Sequence, residues 1–155
     1  MEEEKPLLLR QLHSTNAELR ETATNRLWQL WFGAAGPEAE QRLLYGERLM
    51  ESKDYEQAES AFSDLIRDFP TFPEAWNRRA TLRYLRHEYE SSLADCREVV
   101  RLEPDHFGAW HGTGLCLVSL RRYAEAAQAF RRALEIQPFA ETNQELLASC
   151  LAKLN

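Results

Sequence analysis

Residues Trp76 to Pro104 read WNRRATLRYLRHEYESSLADCREVVRLEP, and the stretches on either side copy their punctuation. Pro70, Pro104 and Pro138 lie 34 residues apart, as do Tyr55, Tyr89 and Tyr123. Trp76 and Trp110 keep the same interval, and Ala58, Ser92 and Ala126 keep it at a position that stays small. A unit of this length holds two helices and a turn. It cannot bury its own apolar face, so copies stack. Three copies follow, at 39–72, 73–106 and 107–140.

In the first copy Tyr45, Gly46 and Leu49 fall on the first helix, Tyr55 at the turn, Ala58, Phe62 and Leu65 on the second helix, and Pro70 at its end. The third carries Trp110, Gly114, Leu117, Tyr123, Ala126, Phe130, Ala133 and Pro138 at the matching places. Small residues let two helices cross closely, and prolines fix the exit from each second helix. Asp54 followed by Gln57 offers a local cap for a second helix. This pattern resembles the tetratricopeptide repeat (TPR), a helix-turn-helix unit. The plan of an LWQLWF helix followed by three repeats is similar to that of short bacterial and plastid TPR proteins. The resemblance implies an all-α, right-handed TPR superhelix.

The middle copy departs from the pattern. Arg79 and Arg83 take first-helix sites that are usually apolar in the family, and Ser92, Cys96 and Val99 are milder variants on the second helix. A buried, unpaired guanidinium is very costly, so Arg79 needs a carboxylate, and Asp95 on the partner helix is the candidate. An internal ion pair is favoured over a ligand-binding role.

The flanks complete a single domain over 1–155. In 4–36, Pro6 suits a first helical position, and Leu8, Leu9 and Leu12 form a short apolar stripe. Thr15 with Glu18 reads as a capping box, predicting a break near Ser14 and a second helix from Asn16 to Phe32. Its stripe is Leu19, Ala23, Leu27 and Leu30, widened by Trp28, Trp31 and Phe32. Gly33, Gly36 and Pro37 stop it. The expectation is a repeat-like pair that caps the array, its aromatic residues stacked near Tyr45 and Phe62; the alternative is a lid over the groove. Thr142 with Glu145 reads as another capping box, opening a C-terminal capping helix over 142–154. The count is nine helices.

Composition bounds the function. The chain of 155 residues has a formal net charge of −6, which argues against nucleic acid as the partner. Residues 39–72 hold four basic against eight acidic residues, and 107–140 four against two. That gradient could orient a partner, but solvated outer faces are the favoured explanation. No apolar run is long enough for a membrane span. The acidic start MEEEK lacks the positive charge of an export signal. Cys96, Cys116 and Cys150 are odd in number and without CxxC spacing, so they read as packing residues in a reducing compartment. The expected location is cytoplasmic, with the plastid stroma or an exported location open if a leader has been removed. His13, His87, His106 and His111 never take the HExxH or HxxxH spacing, and no glycine-rich phosphate loop or GxSxG is present. No catalytic residue, metal site or cofactor is expected, and the reading is non-enzymatic.

What the resemblance implies about function is a concave face lined by the first helices. Here its stripe reads Leu43, Glu47 and Met50, then Asn77, Arg78, Thr81 and Tyr84, then His111, Leu115 and Val118. Aliphatic anchors mixed with a few polar groups suit a peptide or amphipathic helix of a partner protein, unless the N-terminal helices cover them. TPR domains that grip acidic chaperone tails use Lys and Asn on the first helix of the first repeat, Asn in the second, and Lys with Arg in the third. The matching sites are Leu43 and Glu47, Arg78, and Gly108 and Gly112, so that clamp is absent. The expected role is an adaptor or assembly factor. The alternative is a structural protein that self-associates through Trp28, Trp31 and Phe32 or through the groove. An RNA-binding array would need a basic, aromatic groove.

Overall fold

The computed structural model describes residues 3–155. Among these it contains nine helices and no strand: α1 (Glu4–Gln11), α2 (Ala17–Phe32), α3 (Pro37–Glu51), α4 (Tyr55–Asp68), α5 (Pro73–Leu85), α6 (Tyr89–Leu102), α7 (Phe107–Ser119), α8 (Tyr123–Ile136) and α9 (Glu141–Leu154). From α3 onward each helix packs on its successor, and α3, α5 and α7 also touch in a row, forming the inner layer.

The second helices carry the core. Ala58, Phe62 and Leu65 on α4, Ser92, Cys96 and Val99 on α6, and Ala126, Phe130 and Ala133 on α8 are all buried. Their i, i+4, i+7 spacing makes one continuous stripe. Gly46 and Gly114 on the first helices face it closely. A Cβ at Gly46 would lie 2.3 Å from the Phe62 ring, and one at Gly114 would lie 2.5 Å from Phe130. In the middle repeat the equivalent pair is Ala80 and Cys96, so the added methyl is matched by a smaller partner.

Two recurring details explain the period. Lys53, His87 and Arg121 adopt left-handed backbone, with φ of 61–63°, at the turn between the two helices of each repeat. The following residue's N–H closes the helix end: Asp54 donates to the Leu49 carbonyl (2.9 Å), Glu88 to Arg83 (2.8 Å) and Arg122 to Leu117 (2.8 Å). The Trp76 indole donates to the Pro70 carbonyl (3.0 Å) and the Trp110 indole to Pro104 (2.8 Å). The proline thus breaks one helix and offers its carbonyl to the start of the next. Gln144 donates to Pro138 (2.9 Å) in the same way, so α9 stands where a further repeat would begin.

Arg79 meets Asp95 through two hydrogen bonds (3.0 and 2.9 Å) and also donates to Ser63 Oγ (3.1 Å). Arg83 joins the same carboxylate (3.1 Å) and pairs with Glu59 (2.9 Å). The departure in the middle repeat is therefore an ion network linking α4, α5 and α6.

The caps differ from the sequence expectation. α2 is capped by Asn16, whose Oδ1 accepts from the Glu18 and Leu19 N–H groups (3.0 and 3.2 Å), and Thr15 lies one residue too early. Thr142 falls inside the first turn of α9, where a hydroxyl has no free N–H ahead of it to cap. Asp54 holds the N-cap position of α4 without a side-chain bond. Its ψ of 65° stops short of the extended backbone from which a carboxylate reaches over the first turn.

Candidate functional site

The N-terminal pair does not extend the array. Trp28 and Trp31, edge to face at 5.4 Å, sit against the start of α7 instead. Trp31 stacks on His106 with centroids 4.2 Å apart and planes 20° from parallel, and Trp28 meets His106 and Phe107 edge on at 5.2 and 5.4 Å. Ala23, Leu27 and Trp31 are buried with Leu8, Leu12, Phe107 and Ile136 in one cluster. Phe32 alone joins the first-repeat core containing Leu43 and Phe62, while Tyr45 is left 51% exposed. The expected cap is thus corrected to a helix lying over the N-terminal ends of α5 and α7. The reason is shape. Gly108 lacks a Cβ that would lie 2.6 Å from the Trp28 ring, so α7 offers these aromatic residues a flat seat.

Beneath this seat is a buried polar network. Glu74 has no exposed surface, and its Oε1 accepts from His106 Nε2 (2.5 Å). The direction follows from the other ring nitrogen: His106 Nδ1 accepts the Ala109 N–H (3.0 Å), so Nε2 carries the proton. Arg78 lies 3.2 Å from Glu74 Oε2 and 2.9 Å from Glu47, with its guanidinium over the rings of Phe32 (5.1 Å) and Trp28 (5.9 Å). Burial pushes the Glu74 carboxyl up, but the His106 hydrogen bond, the charge of Arg78 and the Asn77 amide together hold it below its ordinary value. Glu47 goes the other way: burial raises it, and Glu74 and Glu51 add to that against the pull of Arg78.

The network is incompletely satisfied. Trp31 Nε1, Glu74 Oε2 and Arg78 Nε are buried without a hydrogen bond, the last two being close in charge but misaligned. An unpaired buried group such as the Trp31 N–H costs about 1–3 kcal/mol.

The ten residues read from the sequence as the inner stripe fall in the packed core, in the network or at an open pocket, with Asn77 shared by the last two. Leu43 is wholly buried in the first-repeat core, and Glu47, Asn77 and Arg78 belong to the network under α2. Met50 packs on the first-repeat core and Val118 on the cluster shared with α9. Asn77, Thr81, Tyr84, His111 and Leu115 line an open pocket of about 210 Å³, together with Ala80, Ser92, Cys96, Gly108 and Gly112. His111 Nδ1 is held by Asn143 Oδ1 at 2.6 Å. The pocket exists because Cys96 stands where the other repeats place Phe62 and Phe130, leaving the volume of a ring unfilled between α5, α6 and α7.

Glu74, His106 and Gly108 are the residues that the sequence reading missed. Gly108 and Gly112, four apart on one helix, were a signal of close approach from outside. Nothing local marked Glu74 or His106, which meet across 32 residues.

Among the described residues no group of three or more His, Cys, Asp or Glu could hold a metal ion, and no helix is long and apolar enough to cross a membrane. The three cysteines are free and buried.

Comparison with known proteins gives the same repeats. Family models described as tetratricopeptide repeat match residues 39–82 and 82–141. A TPR repeat-containing protein of Rhizobium etli is 32% identical over 110 residues, covering 71% of this chain and 54% of that protein. The small glutamine-rich tetratricopeptide repeat-containing protein 2 of Mycosarcoma maydis is 28% identical over 117 residues, 76% of this chain and 33% of its own length. The chain therefore spans about half of the first relative and a third of the second. Among solved structures, the first TPR of Spaghetti (RPAP3) bound to the HSP90 peptide SRMEEVD superposes with a TM-score of 0.72 at 20% identity, covering 75% of this chain and 92% of that one. The Sgt2 TPR domain of Aspergillus fumigatus gives 0.71 at 20% identity, covering 76% and 80%. With the 34-residue period, the proline-carbonyl contacts and these matches in agreement, the chain belongs to the tetratricopeptide repeat family and folds as an all-α TPR superhelix.

Proposed function

We propose that this protein is a non-enzymatic interaction module, an adaptor or assembly factor that holds a segment of a partner protein on its concave face. The observation that carries this reading is the open pocket bounded by Asn77, Thr81, Tyr84, His111 and Leu115. It is the size of one large side chain, has a mainly apolar lining, and carries the Thr81, Tyr84 and His111 polar groups at its edge. Such a cavity takes an apolar anchor from a peptide or helix, with the edge groups setting register. Relatives include proteins named as Hsp70 and Hsp90 organising or co-chaperone proteins, which supports a protein as the ligand.

The test follows from the origin of the pocket. Ala80→Gly with Cys96→Phe gives the middle repeat the glycine and phenylalanine of its neighbours and fills the cavity without altering the outer surface. Partners recovered from the native cell by the unaltered protein should be lost with this variant and with Tyr84→Ala, and kept with Tyr45→Ala. Recovery unaffected by filling the pocket would refute the reading. Self-association is the competing role, and a rise of mass with concentration in light scattering that Tyr84→Ala abolishes would favour it.

A further inference from the structure

We infer that α2 occupies the place of a partner helix, and that the partner segment this groove takes is an amphipathic helix carrying two large aromatic side chains three residues apart. The inference rests on the reading above that the concave face holds a partner, and it names that partner's chemistry. The first observation is the seat itself. Gly108, the stacked His106 ring and the Arg78 guanidinium form a floor for two indoles, and Gly108 also lines the open pocket, so seat and pocket are one continuous surface. The second is that α2 is held by apolar and ring contacts, Arg20 over Phe139 at 4.3 Å among them, with little hydrogen bonding. Among the described residues, its one hydrogen bond to the repeats runs from Gln137 to Thr24 at 3.4 Å. A gap of about 290 Å³ remains between α2 and the turn at Phe139 and Ala140. The third is that Trp31 Nε1 is buried without a hydrogen bond, and Glu74 Oε2 meets only the misaligned guanidinium of Arg78 at 3.2 Å. A helix that supplies a well-aligned donor to that oxygen binds the same floor better than α2 does. Finally, α2 is joined to the array only through Gly33–Gly36, whose last residue has φ +90° and marks the bend. Apolar anchors at i and i+3 or i+4 are the signature of a helix bound in a groove.

Because α2 fills the seat in the resting chain, a competing helix meets an affinity reduced by the closed fraction. The test therefore controls α2 in the full chain. Thr24→Cys with Gln137→Cys replaces two side chains that already touch, so oxidation, or a short bis-maleimide where a disulfide does not close, locks α2 in place. The probe is a fluorescein-labelled peptide of residues 16–33, NAELRETATNRLWQLWFG, followed by polarisation. The reduced protein should bind it, and the locked protein should bind about tenfold more weakly or not at all. The same peptide with alanine at both tryptophans should not bind. Equal binding by locked and reduced protein, or no binding by the reduced protein, overturns the inference. If Tyr84→Ala removes binding while the lock does not, the peptide sits in the open pocket: the inference fails and the proposed function stands.

Discussion

At the scale of single residues, Asp95 is the centre of the middle repeat. It is nearly buried and receives both Arg79 and Arg83, so either arginine can partly neutralise it when the other is gone. Arg79→Ala alone should cost about 1–3 kcal/mol, the value of hydrogen bonds to a charged group, rather than that of an abandoned buried charge. Removing both arginines should reach about 3–5 kcal/mol or more, with coupling visible in a double-mutant cycle by urea unfolding. Glu74 gives a pH dependence. Its carboxyl lies below its ordinary 4.5 in the fold. Its contribution is therefore complete above 4.5 and lost as pH falls through the lower folded value. Glu47, raised by burial, contributes with the opposite sign: its share is complete at low pH and fades as pH rises through its folded value. Glu74→Gln should flatten the acid limb of a stability–pH curve, and an unchanged limb would show that other carboxylates set it. The Arg79–Asp95 pair was legible in the sequence because both residues lie on one hairpin and a buried guanidinium demands a partner. The Glu74–His106 pair was not, because its burial depends on α2 folding back over it.

At the scale of elements, the left-handed turns are a cost that each repeat carries. A residue with a Cβ in that conformation is disfavoured by about 1–2 kcal/mol relative to glycine, offset in part by the greater freedom that glycine loses on folding. Lys53→Gly or Arg121→Gly should therefore raise stability by up to about 1 kcal/mol, read as a midpoint about 2–4 °C higher in thermal unfolding. Gly114→Ala goes the other way. Its methyl would overlap the Phe130 ring and should cost about 1–3 kcal/mol. The helices themselves were plain in the sequence, since a 34-residue period carries the tyrosine and proline markers through all three copies. Their caps were not: among the described residues only Asn16 and His106 cap a first turn through a side chain, an amide and an imidazole where hydroxyls and carboxylates were expected. The left-handed positions carry Lys, His and Arg instead of glycine, and so left no compositional trace.

For the whole molecule, the missing clamp and the presence of α2 point the same way. Leu43 is buried, Trp28 covers Gly108, and Arg78, the basic residue among the clamp-equivalent positions, is already paired with Glu47. The peptide SRMEEVD should bind no better than its scrambled form in fluorescence polarisation, and sequence-dependent micromolar binding would overturn this. The concave stripe was legible from the period, but its division into covered and open halves was not. Clustered aromatic residues announce that they will be buried without saying where, and the array's end and its groove were both available. That choice also sets the order in which the molecule can be built. Each repeat is assembled from contacts within its own or the next hairpin, so the array can close progressively as it leaves the ribosome. Helices α1 and α2, which precede the array, cannot follow that rule. Lys5 waits for Glu103, 98 residues later, and Thr24 waits for Gln137, 113 residues later. Trp28 and Trp31 emerge before the His106 and Phe107 that receive them, so α2 docks only after α7 is made, and until then its indoles are unburied.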